Sequence, residues 1–415
     1  MQEFTGWQYL LIDAANNYCV DLDKKTFETR IAWAEKNLDN LEELITESDD
    51  WKTKPLFIKS VQAIRKAQAG EPTGHLVGFD AVCSGMQLMA VLSGCIDSAR
   101  ATGLIDPNVR ADAYTECTAM MTTMLGYHLP NERAKVKQSV MTSLYGSKQE
   151  PKNEFGDDTP ELDAFYKAMY KMAPGPCALL EDLLNSWQPF AKAHAWKLPD
   201  GHDVRVRTTK RHECRVEVDE LNHSTFTYAY FTNEGEEKDK KNAANVIHSI
   251  DAYVMRSLLR RCDYDDRLVM EASSEIQTEL MARVVERHGT NLSPQTKYYF
   301  DQYQRSGMVD VVILESITSM DIRWLPKDYL VKLNTILDTM LRHKPFQVVT
   351  VHDDFRAHPN NINALRKHYR NILAELSEVN LLTDIFSQLY GMPMTFAKAS
   401  NNLAHHIRRS NYALC

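Results

Sequence analysis

The chain has 415 residues, of which 44% are hydrophobic and 25% charged, and its 48 basic and 56 acidic residues leave a formal net charge of −8. That balance suits a folded protein with a sizeable core in two or three lobes, and it argues against a surface that grips phosphates all over, so any nucleic-acid contact has to come from local basic islands. The start, "MQEFTGWQYLLIDAANN", is broken by Glu3 and Asp13 before an export signal can form, and the most apolar run, "GMQLMAVLSGC", is too short to cross a bilayer.

In chain order, residues 24–48 and 55–68 read as amphipathic helices, followed by the turn "GEPTG" (70–74) and a short apolar strand, "HLVGF" (75–79), that ends at Asp80. Helical patterns return at 84–102, 107–126, 131–146, 160–173 and 177–194. The turn "LPDG" (198–201) then opens an alternating, β-rich stretch from Val204 to Tyr230. A charged linker at 233–242 leads into the helix "AANVIHSIDAYVMRSLLRR", and 264–345 is mostly helical. "FQVVTVHDDF" (346–355) reads as an apolar strand running into acid, and the tail from 361 to 415 is helical. The eight cysteines (19, 83, 95, 117, 177, 214, 262, 415) show neither CxxC nor a zinc spacing, which fits reduced thiols. Basic islands lie at 133–148, "RVRTTKRHECR" (205–215) and "RKHYR" (366–370). Much of the acid lies at 37–50 and 233–241.

Three clusters carry chemistry. Asp80 and Asp353 each follow an apolar strand, where an ionised carboxylate is costly unless it is paired or holds a cation. At neighbouring strand ends two such groups can hold a pair of Mg²⁺ ions; alone, each could equally cap a turn. In "NERAKVKQSVMTSLYGSK", Arg133 and Lys137 share a helix face, and on a continuous helix Tyr145 would lie about 12 Å further along and about 80° round. That is the reach of a nucleoside triphosphate from phosphates to base, with Gly146 allowing a template base close to the backbone. A stripe of this kind also occurs as plain core packing. In "NVIHSIDAYVMR", Asp251 stands one turn from His248 and could orient its imidazole, although a buried structural histidine fits the same pattern.

Together these segments resemble the single-subunit RNA polymerases of phage and mitochondrial type. The first catalytic motif is matched by "GFDAVCSGMQLMAVL" (78–92), the fingers helix by "RAKVKQSVMTSLYGSK" (133–148), the conserved histidine helix by "VIHSIDA" (246–252) and the last catalytic motif by "VTVHDDF" (349–355), in the family's order. "IDAANNYCVDLDKKTFETRIAWAEKN" (12–37) resembles the segment preceding the palm, and "SNYALC" (410–415) resembles an ending whose carboxylate folds back toward the active site. The resemblance implies an α+β, right-hand palm-and-fingers fold, mostly helical with a small antiparallel palm sheet. Its parts would be a helical lead-in at 1–75, palm at 76–105, fingers at 106–247 with a β-rich segment at 198–232, palm again at 248–360 with a helical insertion near 264–345, and a C-terminal helical region at 361–415.

It also implies DNA-directed RNA synthesis with two Mg²⁺ ions. Asp80, Asp353 and the Ala81 carbonyl would be metal contacts. Arg133 and Lys137 would hold triphosphate, and Lys137 would assist the leaving pyrophosphate. Tyr145 and His248 would check the incoming ribonucleotide, and His352 would support the catalytic strand. Gly85 stands where related DNA polymerases place a Glu against the 2′ position, so ribose is the expected sugar. Three features depart from the pattern: Ala81 replaces a common Gly, Asp354 adds a carboxylate that should face away from Asp353, and the insertion separates His248 from His352.

The family's D-x-x-G-R element does not occur in the sequence. The expected partners are therefore a smaller companion chain that supplies the thumb region and that element, rNTPs, RNA product, single-stranded or melted DNA template, and a single-stranded-DNA-binding or activator protein. No membrane partner is expected, and the compartment would be the cytoplasm of an infected cell. A DNA polymerase or primase of the same palm fold, and a scaffold subunit without catalysis, are the alternatives.

Overall fold

The computed structural model describes residues 1–47, 53–232, 234, 237 and 239–415. Parts of the acidic stretch at 37–50 and of the charged linker at 233–242 therefore lie outside the described residues. The rest is mostly helical, with small antiparallel sheets.

The central sheet has three strands, β1 (Val77–Asp80), β6 (Val349–Val351) and β7 (Asp354–Ala357), in the order β1-β7-β6. Its register sets Phe79 opposite Phe355 and Asp80 opposite Asp354. The expected strand at 346–355 is thus two strands with a tight turn between them. His352 in that turn has φ +56, a conformation that a non-glycine side chain adopts at a cost. The chain doubles back within two residues, so Asp353 sits in a hairpin turn and not at the end of a strand.

Behind the sheet lies the helix Ser84–Ser93, in which every residue from Gly85 to Ser93 is buried. It is apolar all round because the helices Pro174–Asn185, Lys241–Cys262 and Ile362–Glu378 pack on its different sides. Its one long polar side chain, Gln87, is satisfied there: Nε2 donates to the carbonyls of Thr102 and Ala413 (both 3.1 Å), and Oε1 accepts from the Tyr369 hydroxyl (2.7 Å). Gly94 (φ +70) stops this helix, and a Cβ there would meet the Ser400 carbonyl at 2.5 Å.

Several expected helices are shorter than their hydrophobic periodicity. The 24–48 pattern breaks into Phe27–Lys36 and Leu41–Glu47, with a single 3₁₀ turn between. The 177–194 pattern ends at Asn185, a few residues ahead of Pro189, and Ala193–Lys197 is instead strand β2, paired with β3 (Asp203–Arg207) across the "LPDG" turn. The remaining β-rich segment forms a separate ribbon of β4 (Lys210–Val218) and β5 (Ser224–Thr232).

Residues 264–341 have a hydrophobic cluster of their own, built on Ile276, Phe300, Ile313, Tyr329 and Leu333. It is tied to the rest at the helix Lys241–Cys262. Arg260 there binds both carboxylate oxygens of Asp310 (2.9 and 3.0 Å), while Asp200 accepts from Arg256 at 2.7 Å. No helix among the described residues is long and apolar enough to cross a membrane.

Candidate active site

Asp80 and Asp353 come together because one sheet carries both. One residue beyond the β1–β7 ladder the Ala81 amide donates to the Asp353 carbonyl at 3.3 Å, so the end of β1 and the β6–β7 turn lie side by side. The far edge of β1 is covered by the terminal segment: Ala81 bridges Leu414, and the Cys415 amide donates to the Asp80 carbonyl at 3.0 Å. Cys83 (φ +51) then turns the chain from strand into the helix Ser84–Ser93. Asp80 and Gly85 consequently face the same space.

That space is a cavity of about 260 Å³. Asp80, Ala81, Gly85 and Asp353 line it from the sheet side, and Arg133, Lys137 and Tyr145 line it from the helix Glu132–Ser143 and the turn after it. The expected helix over 131–146 ends at Ser143. Gly146, at φ +83, takes the chain away, and the Ser147 amide donates back to the Thr142 carbonyl at 3.1 Å. Tyr145 therefore reaches the cavity from a turn, so the spacing expected on a continuous helix does not apply to it. Gly146 is not on the cavity wall: a Cβ there would meet Leu184 at 3.3 Å and Lys240 at 3.4 Å.

Tyr145 is held on two sides. Its ring lies 4.7 Å from the His248 ring, centroid to centroid, at 47°. Its hydroxyl sits directly over Gly85, where an added Cβ would come within 2.7 Å of Oη and 3.3 Å of Cζ. Burial pushes the Tyr145 phenol up to about 12 and lowers His248, so the pair is neutral at physiological pH. No hydrogen bond joins His248 to Asp251 among the described residues. Burial, with the Asp353 carboxylate adding to it, pushes the Asp251 carboxyl up to about 6, and His352 opposes the shift.

The two last-motif aspartates face different spaces. Asp353 lines the cavity, whereas Asp354 is held by Arg356 at 2.6 Å and lines a neighbouring cavity with Gly78 and Asp13. Asp80 touches both. Partial desolvation, then the Asp354 and Asp353 carboxylates, push the Asp80 carboxyl up to about 6. Carboxylates crowded in this way fit a divalent cation, because hard cations choose carboxylate oxygens and would relieve the repulsion on Asp80.

This carboxyl supplies a pH test. Folded Asp80 holds its proton more tightly than the unfolded chain, whose ordinary value is 3.8, so folding is penalised increasingly as pH rises from about 4 through 6. Without divalent cation, Asp80→Asn is expected to melt above the unsubstituted protein at pH 8 and together with it at pH 4. Calorimetry showing equal melting at both pH values would remove the repulsion from the account.

Sequence reasoning missed several wall residues, Asp112, Tyr114 and Lys24 among them. Asp112 caps the helix Ala113–Leu125, accepting from the Tyr114 amide at 3.1 Å, and also binds Arg133 through Nη2 (2.7 Å) and Nε (2.9 Å). Tyr114 lies under both cations, 5.6 Å from Arg133 and 5.8 Å from Lys137. Lys24, paired with Asp23, closes a third side. An Asp before a helical run is a legible cap, but its hold on Arg133 crosses 21 residues and is not.

Comparison with known proteins adds a further finding. Residues 2–154 match the family model described as DNA-dependent RNA polymerase. The chain is also similar to the mitochondrial DNA-directed RNA polymerase 1 of Arabidopsis thaliana, at 27% identity over 172 residues. The likeness covers 34% of this chain and 18% of the length of that relative. The matched segment ends before His248 and Asp353, which only the folded chain brings to Tyr145 and Asp80.

Proposed function

Because the chain belongs, through residues 2–154, to the DNA-dependent RNA polymerases of the single-subunit phage and mitochondrial type, we propose that it is a catalytic chain that adds ribonucleotides to an RNA 3′ end on a DNA template. One observation carries this reading: two carboxylates on one wall of a single cavity stand across from two cations and an aromatic ring on the other.

Asp80 and Asp353, with the Ala81 carbonyl, would hold two Mg²⁺ ions, whose chemistry when bound is to activate the attacking 3′-hydroxyl and offset charge on the leaving pyrophosphate. Arg133, fixed by Asp112, would present its remaining N–H groups to the triphosphate. Lys137 is solvent-facing and would bind the same oxygens and give a proton to the pyrophosphate. Tyr145, backed by His248, would offer its face to the new base pair, and its hydroxyl, held over Gly85, would stand beside the ribose 2′-hydroxyl. Template and RNA would be gripped by phosphate contacts and stacking, so affinity should fall with salt. From the resemblance we also read a smaller companion chain as partner, single-stranded or melted DNA as template, and the cytoplasm of a phage-infected cell as the setting.

A primer-extension assay on single-stranded DNA, with companion chains co-purified, tests the reading. Ribonucleotides should be used at least ~10-fold better than deoxyribonucleotides, and EDTA should abolish both. A deoxyribonucleotide preference would make the chain a DNA polymerase, and incorporation unaffected by EDTA would remove the metal site.

A further inference from the structure

The charges on the wall of the polymerase cavity do not all cancel in place. Among the described residues, four cations and four aspartates line it. Two pairs are closed, Lys24 with Asp23, and Arg133 with Asp112 at 2.7 Å. Asp80 and Asp353 are left over on the sheet side, and so are Lys137 and Arg110, neither of which has a carboxylate partner among the described residues. An unpaired charge on a partly desolvated wall is costly unless something that enters the cavity neutralises it. Divalent cations would do this for the two aspartates, and the two cations call for an anion. Lys137 has a role in the proposed reaction, and Arg110 is the cation still without one.

Arg110 lies two residues before Asp112, in the loop between the helices Ile96–Ala101 and Ala113–Leu125. The loop is anchored where Asn411 Nδ2 donates to the Pro107 carbonyl at 2.7 Å. The Arg110 side chain is half-buried and makes one hydrogen bond among the described residues, from Nη1 to the Ala111 carbonyl at 2.6 Å. Its Nε is sealed inside the protein, so the donors it has left to offer are those of the two terminal nitrogens. Neighbouring charges show which end of the cavity this is. Against burial, Lys24, Arg30 and Arg110 together pull the Asp23 carboxyl down. The Tyr145 phenol is instead raised by burial and then by Cys83, Asp251 and Asp353. Arg110 therefore stands at the Lys24 end of the cavity, away from the ring proposed to carry the new base pair.

We propose that Arg110 binds the terminal phosphate of the incoming nucleoside triphosphate and keeps hold of it in the pyrophosphate that leaves. A guanidinium with free terminal N–H groups suits phosphate oxygens. With the sugar and base at Gly85 and Tyr145 and the reacting phosphate at Asp80 and Asp353, the far end of the triphosphate falls at the loop that carries Arg110. The site thereby favours triphosphates over shorter phosphates. The assignment takes its substrate from the polymerase reading.

Sodium tripolyphosphate with Mg²⁺, titrated calorimetrically into the full chain with its co-purified companion chains, is the probe. It should bind with a dissociation constant below about 1 mM. Arg110→Met keeps the aliphatic stem but removes the charge, and should weaken binding at least ~10-fold, the worth of about one hydrogen bond to a charged group. Arg110→Lys should weaken it less. In primer extension, Arg110→Met should raise KM for ribonucleoside triphosphates at least ~10-fold and leave kcat within ~3-fold, because a contact made equally before and at the transition state acts on KM. A merely structural role would lower kcat as well. If Arg110→Met does not fold, Arg110→Gln replaces it. Tripolyphosphate bound equally tightly by Arg110→Met, or not bound by the unsubstituted chain, would overturn the assignment. Binding that depends on Arg110 in a chain that incorporates no nucleotide would uphold the site and remove the polymerase reading. Normal incorporation with an unchanged KM in Arg110→Met would do the opposite.

Discussion

Replacing Asp353 by Asn is expected to lower nucleotide incorporation at least ~10³-fold, since the metal ions it is proposed to hold would supply several kcal/mol of transition-state stabilisation and each 1.36 kcal/mol is a factor of ten. Its neighbour provides the control. Asp354 is one residue away and equally acidic, but its carboxylate is held by Arg356 and lines the neighbouring cavity. Asp354→Asn is expected to lose no more than the ~1 kcal/mol of a partly exposed ion pair and to stay within ~10-fold of full activity. Single-turnover primer extension on both variants separates the outcomes. Comparable losses at 353 and 354 would mean that the two carboxylates share a role although they line different cavities. Full activity in Asp353→Asn would remove the catalytic reading of the cavity altogether.

The second large effect is expected at Gly85. Here the reason is steric, because an added Cβ would stand 2.7 Å from the Tyr145 hydroxyl, well inside van der Waals contact. Gly85→Glu should push Tyr145 off the His248 ring, crowd the space proposed for the 2′-hydroxyl, and lower ribonucleotide use at least ~10²-fold while sparing deoxyribonucleotides more. A double-mutant cycle isolates the contact itself. Gly85→Ala in the unsubstituted protein should cost ~10-fold, whereas in Tyr145→Phe, which removes Oη and leaves only the 3.3 Å approach to Cζ, it should cost little. The expected coupling is about 1 kcal/mol, typical of side chains in direct contact. Equal losses in both backgrounds would show that the tyrosine hydroxyl is not what makes glycine necessary at 85.

Local patterns carried much of this protein in one dimension. The strand ending at Asp80 and the cationic face formed by Arg133 and Lys137 all follow from side-chain chemistry repeating with the period of a strand or a helix.

What periodicity could not supply was where elements stop and what lies opposite them. The helix Glu132–Ser143 ends early because Gly146 adopts a left-handed backbone that packs on Leu184 and Lys240, partners far along the chain. Asp353 is in a turn because β6 and β7 pair with each other, which a run of apolar letters does not reveal. The grip of Asp112 on Arg133 and the meeting of Tyr145 with Gly85 and His248 were decided by tertiary structure alone. The physical reason is the same in each case: a sequence states which groups a segment offers, and only packing across long separations determines which of them share a dry space.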